Sequence, residues 1–161
     1  MIVKIREKGK MVRIASSIDI HRPIAEVFDF ISSSANDFTW QYGTLASGRL
    51  SKGAPARGAS FRSVGHLMGR RMVSTFEITE YERNRQYSFR SLTGPLVLHT
   101  RYTVKATPGS TRIRIVTQAV PGKGSASVGR GMEKYMQKEL KDNLTRLKTI
   151  LEDTRVAGRL M

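Results

Sequence analysis

The chain has 161 residues, 39% of them hydrophobic and 25% charged, the composition of one soluble globular domain with room for a sizeable core. It holds no cysteine, which excludes disulfides, thiolate catalysis and thiolate metal sites. No apolar run is long enough to span a bilayer and no signal segment is recognisable, so a cytoplasmic location is expected.

Lys and Arg number 28 against 13 Asp and Glu, a formal charge of +15. Such a charge fits an anionic partner, RNA or a membrane, and equally a basic proteome background. From the start of the chain, Lys4, Arg6, Lys8 and Lys10 among a few aliphatics predict a frayed basic arm over residues 1–10. Met11 to Ile20 alternates, with Val12, Ile14, Ser16, Ile18 and Ile20 on one side, and predicts a half-buried strand. Pro23 suits a first helical position, and Ile24, Val27, Phe28 and Ile31 follow at helical spacing. Asn36 to Trp40 forms a second short helix or a turn.

After Tyr42 the helical period disappears. Strands are predicted over Thr44–Leu50, Ala59–Leu67, Arg71–Tyr81, Gln86–Ser91, Leu96–Lys105 and Thr111–Val120, separated by Gly, Pro and Asn turn signals. Connections this short imply an antiparallel meander. The last element is a helix over Ser127–Asp153, about 40 Å long at its usual rise. Val128, Met132, Tyr135, Met136, Leu140, Leu144, Leu147, Ile150 and Leu151 form its apolar stripe. Its other face carries Lys134, Lys138, Glu139, Lys141, Asp142, Arg146, Lys148 and Glu152; it reads as solvated, with an Asp142–Arg146 pair.

This order of elements, with "IDIHRPIAEVFDFI" at the front, "FEITEYERNRQYSFRS" in the middle and "KELKDNLTRLKTILE" at the end, resembles the polyketide cyclase/dehydrase group. That group is a branch of the START-like, helix-grip (SRPBCC) superfamily, and the resemblance runs from Val12 to Glu152. It implies an α+β fold, in which a curved antiparallel sheet of about seven strands grips one long C-terminal helix, with two short helices after strand 1. It further implies a cavity between sheet and helix, binding a hydrophobic small molecule that is lipid-, sterol- or polyketide-like. An aromatase/cyclase-type enzyme using the same cavity is the alternative, and no cofactor is implied. Fold likeness alone does not assign a function, so the site is argued from its residues.

Phasing each strand by its apolar positions turns Phe61, Ser63, Gly65 and Leu67 inward, with Met72, Ser74, Phe76 and Ile78 from the next strand. Tyr87, Phe89 and Ser91 follow, then Leu96, Leu98, Thr100, Tyr102 and Val104, and last Ile113, Ile115, Thr117 and Ala119. Small hydroxyls among large apolar groups point to a cavity with a few hydrogen-bonding positions. The alternative is that those hydroxyls bond neighbouring backbone. Phe38, Trp40, Met132, Tyr135, Met136 and Leu140 complete the predicted surround, with core packing the competing role for Trp40.

Catalytic signals are few. His21, His66 and His99 are dispersed, and parity points the last two outward, so no metal site is expected. No nucleophile elbow is present. Gly122-Lys123-Gly124 only faintly matches a dinucleotide loop and reads as an entry to the last helix. Any chemistry would rest on inward Tyr and Ser/Thr hydroxyls. On the other sheet face, Arg13, Arg62, Arg71, Arg90, Arg101, Lys105, Arg112 and Arg114 point outward, with Asp19 and Glu77 among them. They predict a basic stripe suited to phosphates or anionic lipid. No aromatic interleaves to stack bases, and a simply solvated face is the alternative.

Overall fold

A computed structural model describes residues 11–121 and 131–153. Seven strands form one sheet in the order β1-β7-β6-β5-β4-β3-β2, with every neighbouring pair antiparallel. They are β1 (Val12–Ile20), β2 (Thr44–Arg49), β3 (Ser60–Leu67), β4 (Arg70–Glu82), β5 (Gln86–Thr93), β6 (Leu96–Thr107) and β7 (Ser110–Pro121). Between β1 and β2 run α1 (Ile24–Ile31), a 3-10 turn (Ser34–Asn36) and the four-residue α2 (Asp37–Trp40). The last element among the described residues is α3 (Gly131–Glu152), which lies along β1 and faces the sheet's inner side. The predicted basic arm, the Gly122–Gly124 loop and the first residues of the predicted last helix lie outside the described residues.

The meander follows from its turns. Leu67 pairs with Arg70, so Met68 and Gly69 form a two-residue loop, both with positive φ (51° and 82°). That backbone matches the twist of the flanking strands. Glycine takes it freely, whereas methionine does so at a cost. One bulge alters side-chain direction in a way that alternation alone does not reveal. Between Ile78 and Glu80 the β4–β5 register shifts, so Ile78 faces Phe89, Glu80 faces Ser88 and Tyr81 faces Tyr87. The extra residue sends Glu80 to the outer face, where it meets Arg101.

The core fills the space between the inner sheet face and the helices. Phe61, Phe76 and Phe89 form a triangle of rings 5.1–5.3 Å apart. Tyr102 extends that aromatic layer to Trp40. Met132, Leu140, Leu144, Leu147 and Leu151 of α3 are buried against it, as the stripe predicts.

The polar side of α3 differs from expectation. Asp142 pairs with Lys138, while the Arg146 Nε donates to the Thr39 carbonyl at 2.7 Å and its guanidinium lies over the Tyr42 ring. Lys148 donates to the Asp19 carbonyl at 2.7 Å, and Glu152 accepts the His21 N–H at 2.8 Å. Glu139 faces inward toward Gly43. Instead of an all-solvated face, α3 uses much of its polar side to satisfy backbone groups of β1 and α2.

Candidate ligand-binding site

A cavity of about 210 Å³ lies between the inner sheet face and α3. Phe61 and Ser63 of β3, Ser74 and Phe76 of β4, and Phe89 of β5 line one side. Leu98, Thr100 and Tyr102 of β6 and Thr117 of β7 line the other, under Met136 and Leu140 of α3 and Trp40 of α2. These side chains converge because inner positions alternate along neighbouring strands in register, as in Phe61 opposite Phe76 and Thr100 opposite Thr117.

Three expected lining residues stand elsewhere. Tyr87 is buried within the aromatic layer behind Tyr102, with ring centres 5.6 Å apart. Met132 is wholly buried one turn before Met136, beyond the end of the cavity. Tyr135 is turned about 100° around the helix from Met136 and is 41% exposed. Phe38, also expected near the cavity, is 52% exposed. On a four-residue helix, periodicity could not say which of Asp37, Phe38 and Trp40 faces in.

The hydroxyls divide into two groups. Thr100 and Thr117 bond each other at 2.8 Å, and the Ser91 Oγ accepts the Leu98 N–H at 2.9 Å. Those three are satisfied within the sheet. Ser63 and Ser74 face each other across β3 and β4, and neither hydroxyl has a hydrogen-bond partner among the described residues. They are available to a ligand.

The polar end of the cavity was not singled out from sequence. Asp37, Gln41, Glu139 and Asn143 all line it. Gln41 and Asn143 hold the α2–β2 connection: the Gln41 Nε2 donates to the Tyr102 hydroxyl at 3.3 Å, and the Asn143 Oδ1 accepts the Tyr42 N–H at 2.9 Å. Asp37 is different. It is 7% exposed, and its carboxyl has no hydrogen-bond partner among the described residues. Burial drives its pKa well above the usual carboxylate range. Burial, followed by the charge of Asp37, likewise raises the Tyr102 and Tyr87 hydroxyls. Burial also raises Glu139, whose carboxylate lies against the Tyr135 hydroxyl. In the sequence, Asp37 reads only as a helix-dipole charge in a first turn.

The open end is set by a close backbone approach. The His66 N–H donates to the Gly43 carbonyl at 2.7 Å, and a Cβ at Gly65 would overlap that carbonyl. The β3–β4 turn then stands beside the start of α3, with Met68 next to Gly131.

On the outer face, Arg13, Arg62, Arg90, Arg112 and Arg114 are exposed and Arg101 is half-buried. Arg112 makes a two-pronged bond to Asp19, Arg90 pairs with Glu77, and Arg101 pairs with Glu80. Arg13, Arg62 and Arg114 have no carboxylate partner among the described residues. His66 is exposed, whereas His99, on the outer face as parity requires, is only 4% exposed. Among the described residues no three His, Asp or Glu side chains converge as metal ligands, and no helix is long and apolar enough to cross a membrane.

Residues 11–152 match the family model described as polyketide cyclase / dehydrase and lipid transport. No curated protein matches the chain. Solved structures share its fold. A START superfamily protein from Mycobacterium smegmatis superposes with a TM-score of 0.73 at 14% identity, over 93% of this chain and 99% of that one. A protein from Thermus thermophilus gives 0.70 at 15% identity, covering 92% and 99%. Major latex-like protein 151 from Panax ginseng gives 0.66 at 9% identity, covering 88% and 97%. At such identities the likeness is one of fold, the helix grip.

Proposed function

Because the chain belongs to the polyketide cyclase/dehydrase and lipid transport family, we propose that its cavity binds a hydrophobic small molecule of lipid, sterol or polyketide type. Family and fold are associated with hydrophobic ligands in general; the carrying observation for this chain is the cavity itself. A dry cavity of about 150 Å³ accepts benzene, so 210 Å³ suits one ring or two fused rings, with the rest of a longer ligand passing the mouth. Aromatic and aliphatic walls supply the affinity, and the free Ser63 and Ser74 hydroxyls supply orientation. The test is a titration of an environment-sensitive apolar dye against wild type and Ser63→Leu. Ser63 loses no hydrogen bond on replacement, so leucine should fill the cavity and weaken the dye at least tenfold while the protein stays folded. Equal binding by both proteins would place the dye elsewhere.

A second reading, a cyclisation or dehydration reaction in the same cavity, is supported by Asp37. A carboxyl whose pKa is raised by burial holds its proton more readily than an ordinary carboxylate and is suited to give and take one in an apolar site. Turnover of a poly-β-ketone mimic that is lost in Asp37→Asn, with dye binding retained, would support catalysis; no turnover by wild type would remove it.

A further inference from the structure

The chain carries 28 Lys and Arg, yet none of those among the described residues lines the cavity, whose inward acids are Asp37 and Glu139. Among the described residues the basic side chains stand on the outer sheet face, in the turns and loops, and on the polar side of α3, while two carboxyls are turned in. Of these, Glu139 already has the Tyr135 hydroxyl against it, near the mouth. Asp37 lies deeper, on the same short helix as Trp40, 7% exposed and without a hydrogen-bond partner among the described residues. A buried acceptor that no described residue satisfies is costly, and the cost is recovered when a ligand donates to it.

We infer that Asp37 is the recognition group of this cavity and selects apolar ligands whose buried end is a hydrogen-bond donor, a hydroxyl or an ammonium, against ligands ending in a carboxylate. This rests on the cavity-binding proposal above and narrows it. A carboxylate brought to the same place is repelled when Asp37 is ionised, and when Asp37 is neutral it still loses its hydration with no inward Lys or Arg among the described residues to neutralise it. Fatty-acid-like and other anionic ends are thereby excluded despite the protein's positive charge. A phenol or alcohol donates its proton to the Asp37 oxygen, and an ammonium pairs with it as an ion. The two donors make different demands: a hydroxyl needs an acceptor oxygen, whereas an ammonium needs the charge.

Four ligands with the same ring distinguish these demands: toluene, p-cresol, 4-methylbenzylamine and p-toluate. Each is titrated by calorimetry or dye displacement into wild type, Asp37→Asn and Asp37→Leu. In wild type, p-cresol or 4-methylbenzylamine should bind at least tenfold tighter than toluene, and p-toluate weaker than toluene. Asp37→Leu should bring the favoured donor down to the toluene level while toluene itself still binds, which also reports an intact cavity. Asp37→Asn keeps an acceptor without charge, so p-cresol binding survives in it and 4-methylbenzylamine binding does not. Tighter binding of p-toluate than p-cresol, or an unchanged order in Asp37→Leu, overturns the role of Asp37 and leaves the cavity reading standing. Failure of toluene and all the others to bind wild type overturns the cavity reading, and this inference with it.

Discussion

Gln137 of α3 closes a double hydrogen bond on the backbone of Ala15 in β1: its Oε1 accepts the Ala15 N–H at 3.2 Å and its Nε2 donates to the Ala15 carbonyl at 2.9 Å. β1 is an edge strand, and this amide occupies backbone groups that a further strand would otherwise take. Lys148 and Glu152 extend the same seam to Asp19 and His21. The helix is held to the sheet edge by polar contacts on one flank and by its leucines on the other. Replacing Gln137 by Ala should cost about 1–2 kcal/mol, read as a lower midpoint in chemical denaturation, because two partly buried backbone groups lose their partner. An unchanged midpoint would mean that water replaces the amide at no cost.

Asp37 gives a pH signature. Its folded-state pKa lies above that of the unfolded chain, so between the ordinary carboxylate range and the raised value the folded protein binds more protons. Stability therefore falls as pH rises through that window. Asp37→Asn should remove this fall and stabilise the protein by about 1–3 kcal/mol at pH 8, with the difference vanishing near pH 3. Thermal melts of both proteins from pH 3 to 8 measure it. Parallel curves would show that the carboxyl is solvated when ionised.

Met68 holds a left-handed backbone at φ 51° in the β3–β4 turn. Met68→Asn places a residue suited to that region before Gly69 and should stabilise by about 1 kcal/mol. Its side chain also stands by the start of α3, one residue beyond the cavity-lining Leu67. Faster dye association in the variant, measured by stopped flow, would accompany the stabilisation if the methionine covers the entrance.

The outer-face arginines with no carboxylate partner among the described residues should dominate any binding to anions. Arg13→Glu with Arg114→Glu should lower affinity for RNA or anionic vesicles and flatten the plot of log affinity against log salt by about two phosphate contacts. Arg112→Glu alone should act less on binding but place two acids side by side with Asp19, across one register pair. Its cost in stability should be small, since both side chains of the pair are exposed and screened by solvent. Equal effects from both sets would argue that only net charge counts.

Strand alternation has a period of two and helix packing one of 3.6, and both are carried by nearest neighbours in the chain. For that reason the seven strands, the inward set from Phe61 to Thr117 and the leucine stripe of α3 were all legible in the sequence, as were the outward arginines. What depends on distant neighbours was not. Whether Asp142 pairs with Arg146 or Lys138 was decided by the Thr39 carbonyl and the Tyr42 ring, which reach Arg146 from about a hundred residues away. The bulge that sends Glu80 outward arises from pairing with β5. The direction of Asp37 on a helix of one turn is set by how the α2–β2 connection is tied to Tyr102 and Asn143. Local periodicity determines which face of an element is apolar; only the packing of elements determines which polar groups are trapped on that face, because burial is a property of the neighbours and not of the residue.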